Sequence, residues 1–171
     1  MQVAPSVHRI GNGTVNAYLV EEGGEVTIVD AGLPAYWSDL PGELAAMGRS
    51  LDDVRALVLT HGHTDHIGFA ERFRRERSMT PRIHELDAAM ARGEVKPQDQ
   101  QSGKVRFGSV VGFLLFGLRR GALRVTPLAE VATFGDGATL DVPGAPRVIH
   151  VPGHSPGSAA LHFAGRGALL V

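Results

Sequence analysis

Apolar positions along the chain follow two rhythms, one suited to strands and one to helices. Residues 14–20 (TVNAYLV) and 25–32 (EVTIVDAG) are apolar over strand-like lengths, and Glu22-Gly23-Gly24 between them is a turn signal, so the pair predicts a hairpin. Residues 36–48 carry a helical pattern closed by Gly48. Residues 54–60 (VRALVLT) form the continuous β-branched and leucine run expected of a buried strand. Residues 66–78 place Ile67, Phe69, Ala70 and Phe73 on one side of an amphipathic helix. A short strand at 81–84, a helix at 85–92 and a polar loop at 93–104 come next. A glycine-punctuated apolar segment at 105–118 then leads to strands at 138–142, 146–151, 158–163 and 168–171. Helices alternate with strands in the first half and strands dominate the second, which predicts packed sheets flanked by helices.

Composition narrows the function classes. A length of 171 residues, with 43% hydrophobic and 20% charged, suits one globular domain over 1–171. The net charge of −1, from 17 basic and 18 acidic residues, provides no general field for nucleic acid or an anionic membrane. Cysteine is absent, so disulfides, thiolate nucleophiles and cysteine-ligated zinc are excluded, and any metal must be held by histidine and carboxylate. MQVAPSVHRI has neither a basic nor an apolar leader region, and the longest apolar stretch, 109–118, is too short to span a bilayer. A soluble, cytoplasmic protein is expected.

The chemistry concentrates at the end of the 54–60 run, where His61, His63, Asp65 and His66 lie within six positions. In extended backbone, alternate side chains point the same way about 7 Å apart, so His61 and His63 form a two-pronged clamp around one ion. Gly62 relaxes the backbone between them, while Asp65 and His66 project elsewhere and suit a second ion. Imidazole nitrogen and carboxylate oxygen are both accepted by Zn²⁺, and iron or manganese tolerates them too. A capping loop would explain Thr64 and Asp65 but gives no reason for three histidines. A third neutral ligand stands in the second informative stretch, 148–163, where His154 sits between Gly153 and Ser155-Pro156-Gly157 in a turn joining two strands.

His61-X-His63-X-Asp65-His66 at a strand end, preceded by Asp30 in VDAG and followed by His154 in GHSPG, resembles the metallo-β-lactamase superfamily of hydrolases. Order, spacing and flanking strands match over nearly the whole chain. The resemblance implies an α+β fold, a four-layer αββα sandwich with its ligands at the rim. It implies that His61, His63 and His154 bind a first metal, that Asp65 and His66 contribute to a second, and that Asp65 also orients the attacking hydroxide. Asp30 resembles the family's early aspartate, which supports the site; a turn-forming aspartate before Ala-Gly is the plain alternative. Two zinc ions, with iron or manganese as alternatives, would generate hydroxide from a shared water at neutral pH. The implied reaction is hydrolysis of a small ester, thioester, lactone or amide. The GHSPGS form is similar to that of glyoxalase II-like and lactonase-like members.

The pattern also departs from the family. The bridging aspartate and the last histidine of the second metal would follow the apolar run 167–171, so the sequence reads as a shortened sandwich lacking its last strands and helix. Asp136, Asp141, His150 and His162 do not occupy the matching positions. His150 and His162 read as strand residues, and His84 as a neighbour of the site. Two other readings stand beside the hydrolase: an oxidoreductase resembling the superfamily's one-iron persulfide dioxygenases, and a non-catalytic metal-binding fragment. Residues 105–118 lie where the family varies its substrate cover and suit a core helix, an apolar lid or a contact between copies in a homodimer. Arg72, Arg74, Arg75 and Arg77, interleaved with Glu71 and Glu76, read as a solvated helix face rather than a nucleic-acid surface.

Overall fold

The computed structural model of the chain describes residues 1–12, 14–96 and 115–171. Its larger sheet has seven strands in sequence order, from β1 (Gln2–Ala4), β2 (Val7–Gly11), β3 (Asn16–Glu22) and β4 (Glu25–Val29) to β5 (Val54–Val58), β6 (Arg82–His84) and β7 (Ala132–Phe134). The first four strands form an antiparallel meander, and β4 to β7 run parallel. Helix α1 (Tyr36–Ala46) lies in the crossover from β4 to β5, α2 (Ala70–Arg77) in that from β5 to β6, and α3 (Ala88–Ala91) follows β6. A second, antiparallel sheet has the order β10 (Ala168–Leu170), β9 (Ala159–Phe163), β8 (Arg147–His150).

Strand alternation sorts the side chains into two cores. On one face of the large sheet Ala17, Leu19, Ile28 and Leu57 meet Leu40 and Leu44 of α1, Phe73 of α2 and Ala88 and Ala91 of α3. On the other face Val7, Val20, Val29, Val58 and Phe134 meet Val148, Leu161, Phe163 and Leu170 of the small sheet. Each large aliphatic side chain removed from water there contributes about 1.5–3 kcal/mol, so both layers are held chiefly by apolar burial. The result is a mixed α+β fold layered helix, sheet, sheet. Among the described residues no helix covers the outer face of the small sheet, where Ile149 and Leu169 are exposed.

The hairpin and the elements at 36–48 and 54–60 form as expected, shortened by a few residues. Three differences have local causes. The helix expected from residue 66 begins only at Ala70, because backbone groups before it are already tied to the turn after β4. Ala31 N–H donates to His66 O (2.7 Å), Gly68 N–H to Gly32 O (2.9 Å) and Phe69 N–H to Ala31 O (3.2 Å). Residues 138–142 form only a single bridge, Thr139 to Arg147, since the chain folds back at once through Pro143, Gly144 and a left-handed Ala145 (φ 37°). The short strands β1, β2 and β7 have no counterpart in the apolar pattern, and the polar loop and apolar segment expected over 97–114 lie outside the described residues.

Candidate metal centre

Because β4, β5 and β6 run parallel, their C-terminal ends share one rim of the sheet, the usual place for a site in such folds. Asp30 follows β4, Thr60 to His66 follow β5, and Asp87 lies just beyond β6. The β8–β9 connection brings His154 to the same rim, and Ala159 N–H donates to Thr60 O (2.9 Å), stitching the sheets together there.

Asp30 is 1% exposed and sits in the left-handed region (φ 62°), a conformation that aspartate tolerates better than most residues. Its carboxylate accepts from Thr60 N–H (2.8 Å), the Thr60 hydroxyl (2.9 and 3.1 Å) and His66 Nδ1 (2.8 Å). The Thr60 hydroxyl has one proton, directed at Asp30, so its 3.0 Å contact with His61 Nδ1 requires that imidazole nitrogen to donate. Nε2 of His61 therefore carries the free lone pair. That atom is buried without a hydrogen-bond partner.

The rings of His63 and His154 stand 4.8 and 4.7 Å from that of His61, and His63 Nδ1 lies 2.9 Å from His154 Nε2. One ligand nitrogen from each of the three falls within 4.8 Å of the others. Burial, reinforced by the imidazoles of His66, His63 and His154, pushes the pKa of His61 down to about 2, and burial with His154 lowers that of His63. Neutral imidazoles, one with an orphaned buried lone pair, are the donor set a divalent cation requires. The residues present fit a metal.

Asp65 and His66 stand beside this triad without joining it. The His66 ring is 3.9 Å from that of His61, and its Nε2 is 3.8 Å from Asp65. Burial opposes the charged form of His66, but the charge and hydrogen bond of Asp30, with Asp65, outweigh it and raise the pKa. His84 and His150 stack on one another (4.4 Å), and Asp136 accepts from His150 N–H (2.9 Å), a cluster separate from the triad. His162 faces Arg147 and Leu169 in the small sheet, and Asp141 is exposed. On α2, Arg72 pairs with Glu76 and Arg74 with Glu71, and Arg77 reaches Asp52, so carboxylates already match these three charges.

The sequence reading does not single out Thr60 or Asp87. Asp87 is fully buried and accepts from Gly62 N–H (2.9 Å), the Ser155 hydroxyl (2.6 Å) and Gly157 N–H (2.6 Å). A side chain on Gly157 would meet Asp87 N at 2.7 Å and Oδ1 at 2.8 Å, so that approach requires glycine. The available signals were two glycines and a serine flanking histidines, which alone do not point to a distant aspartate.

Comparison with known proteins agrees with this geometry. The family model described as the metallo-beta-lactamase superfamily matches residues 10–171. The chain belongs to the metallo-beta-lactamase superfamily. It is 29% identical over 163 residues to the uncharacterized protein YobT of Bacillus subtilis (strain 168), covering 91% of this chain and 60% of that one. Ribonuclease J 1 of Streptococcus pyogenes is 44% identical over 59 residues, which is 31% of this chain and 10% of that protein. Among solved structures, BJP-1, a subclass B3 metallo-beta-lactamase of Bradyrhizobium japonicum, superposes with a TM-score of 0.71 at 18% identity, covering 94% of this chain and 55% of that one. The metallo-beta-lactamase SMB-1, bound to mercaptoacetic acid, has a TM-score of 0.67 at 22% identity, covering 91% of this chain and 54% of that one. These likenesses carry the metallo-beta-lactamase fold, and the chain spans a little over half the length of these solved members. Among its described residues no helix is long and apolar enough to cross a membrane.

Proposed function

We propose that the chain supplies the first metal site, and part of a second, of a metal-dependent hydrolase that cleaves a small ester, thioester, lactone or amide. The observation that carries this reading is the buried, unpartnered Nε2 of His61, within reach of ligand nitrogens from His63 and His154. His61, His63 and His154 would hold the first cation. Asp65 and His66, adjacent to one another and to the triad, would contribute to the second. Zinc suits the donor set, with iron and manganese as alternatives. When bound, such a cation supplies a water acidified toward neutrality and a Lewis acid for the carbonyl under attack.

The chain's own residues prepare that chemistry. Thr60 holds His61 in the tautomer that points its lone pair into the site, and Asp30 does the same for His66 by accepting from Nδ1. Asp65, half-exposed beside His66, would accept a hydrogen bond that orients the attacking hydroxide. The GHSPGS turn supports a glyoxalase II-like or lactonase-like branch and a small-molecule substrate.

Elemental analysis of the chain and of His61→Ala tests the reading. Zinc bound by the wild type and lost in the variant, together with zinc-dependent turnover of thioesters or lactones, is the expected result. Iron at one per chain with oxygen consumption would move the assignment to a dioxygenase-like oxidoreductase. No bound metal would remove the hydrolase reading.

A further inference from the structure

We propose that Asp87 is the positioning residue of the histidine triad, the group that sets the separation between the His61/His63 loop and the His154 loop. The proposal rests on the metal-binding reading above.

The two loops belong to different sheets. Gly62, between His61 and His63, extends from β5 of the large sheet, whereas Ser155 and Gly157 lie in the β8–β9 connection of the small one. One buried carboxylate reaches both. Its Oδ2 accepts from Gly62 N–H (2.9 Å) and the Ser155 hydroxyl (2.6 Å), and its Oδ1 accepts from Gly157 N–H (2.6 Å). Ser155 Oγ spends its proton on Asp87, so its 2.8 Å contact with Ser158 Oγ is donated by Ser158, and Ser158 Oγ in turn accepts from Ser155 N–H (3.0 Å). The histidine-bearing turn is thus braced from within as well as from below.

Sequence position makes the arrangement specific. Gly62 has a histidine on either side, and Ser155 directly follows His154. A displacement of either loop relative to Asp87 is therefore a displacement of a ligand within one residue of the contact. Burying a carboxylate with neutral donors is costly unless each oxygen is well served, and short, charge-assisted bonds of this kind have narrow geometry. Outer groups that hold ligands in place typically change metal affinity 10- to 100-fold when removed.

The test is zinc affinity, measured by competition with a chromophoric chelator at a temperature where each variant is folded by circular dichroism. Asp87→Asn presents an amide N–H₂ to at least one of the three donors, and Ser155→Ala deletes one bond while keeping the carboxylate. Thr27→Val removes a part-buried hydrogen bond to Pro143 O (2.8 Å) in the sheet interface and serves as a control for general destabilisation. The expected result is zinc binding weakened about tenfold or more in Asp87→Asn and less in Ser155→Ala, with Thr27→Val within twofold of wild type. Should Asp87→Asn fail to fold, Ser155→Ala alone decides, an affinity at least threefold weaker than wild type supporting the role. Affinities within twofold of wild type in the folded site variants, or an equal loss in Thr27→Val, would overturn it. A wild-type chain that binds no zinc would instead remove the metal reading and this proposal with it.

Discussion

His61 shows how one buried imidazole can be both a candidate ligand and a liability. In the unfolded chain it takes a proton near 6.5, whereas in the folded chain burial and the neighbouring imidazoles push that value down to about 2. Between those values the unfolded state binds a proton that the folded state refuses, so without metal this residue lowers stability as the pH falls below 6.5, by up to about 1.4 kcal/mol per pH unit. His66 runs the other way: Asp30 outweighs burial and raises its pKa, so its contribution is full below 6.5 and is lost as the pH rises through the raised value. Comparing wild type with His61→Ala in chelator isolates the first effect. The variant's deficit in urea unfolding should narrow by about 1.6 kcal/mol between pH 6.5 and 5; a constant deficit would mean that His61 is not held neutral. The four candidate ligands at 61–66 and His154 were legible because histidine spacing is itself the signal. Thr60 and Asp87 were not, since the hydrogen bonds that tie Thr60 to Asp30 and Asp87 to Gly62, Ser155 and Gly157 join residues far apart in sequence, and threonine or aspartate at a strand or helix end is ordinary.

At the scale of elements, the loop between β5 and α2 is set by backbone contacts rather than by helix propensity. A Cβ on Gly68 would stand 2.2 Å from Gly32 O and 2.5 Å from Leu33 Cα, in backbone that cannot yield without moving the Asp30 turn. Gly68→Ala should therefore cost more than the 1–3 kcal/mol typical of overpacking and release the histidine loop. Gly42, exposed in α1 with nothing near its absent Cβ, gives the opposite result: Gly42→Ala should stabilise by about 0.5–1 kcal/mol. Thermal unfolding of the two variants checks both signs, and a stable Gly68→Ala would refute the close-packing account. The same contacts explain which elements could be read in advance. Strands β3, β4 and β5 bury continuous apolar runs and announce themselves. The late start of α2 depends on partners across the turn, and β7 is a three-residue strand with two exposed positions, too short to leave a pattern.

At the scale of the molecule, the triad spans the junction between the sheets: His61 and His63 come from the large one and His154 from the small one. The two-sheet packing followed from strands with one apolar face, but the convergence of the loops depends on how the sheets are stacked, which no local pattern encodes. A cation held by all three would therefore act as a clip across the interface of Val29, Val58, Val148 and Leu161. At a free zinc concentration 100 times the dissociation constant, binding to the folded state alone adds about 2.7 kcal/mol, or about 5–10 °C in Tm for a chain of this size. Zinc should also slow amide exchange in both the loop after β5 and the β8–β9 connection, since the clip restrains each through the other. His154→Ala keeps two imidazoles on the large sheet but cuts the link. It should lose most of the rise in Tm and all of the added protection in the β8–β9 connection, whereas an equal zinc response in wild type and variant would show that the metal is held by the large sheet alone.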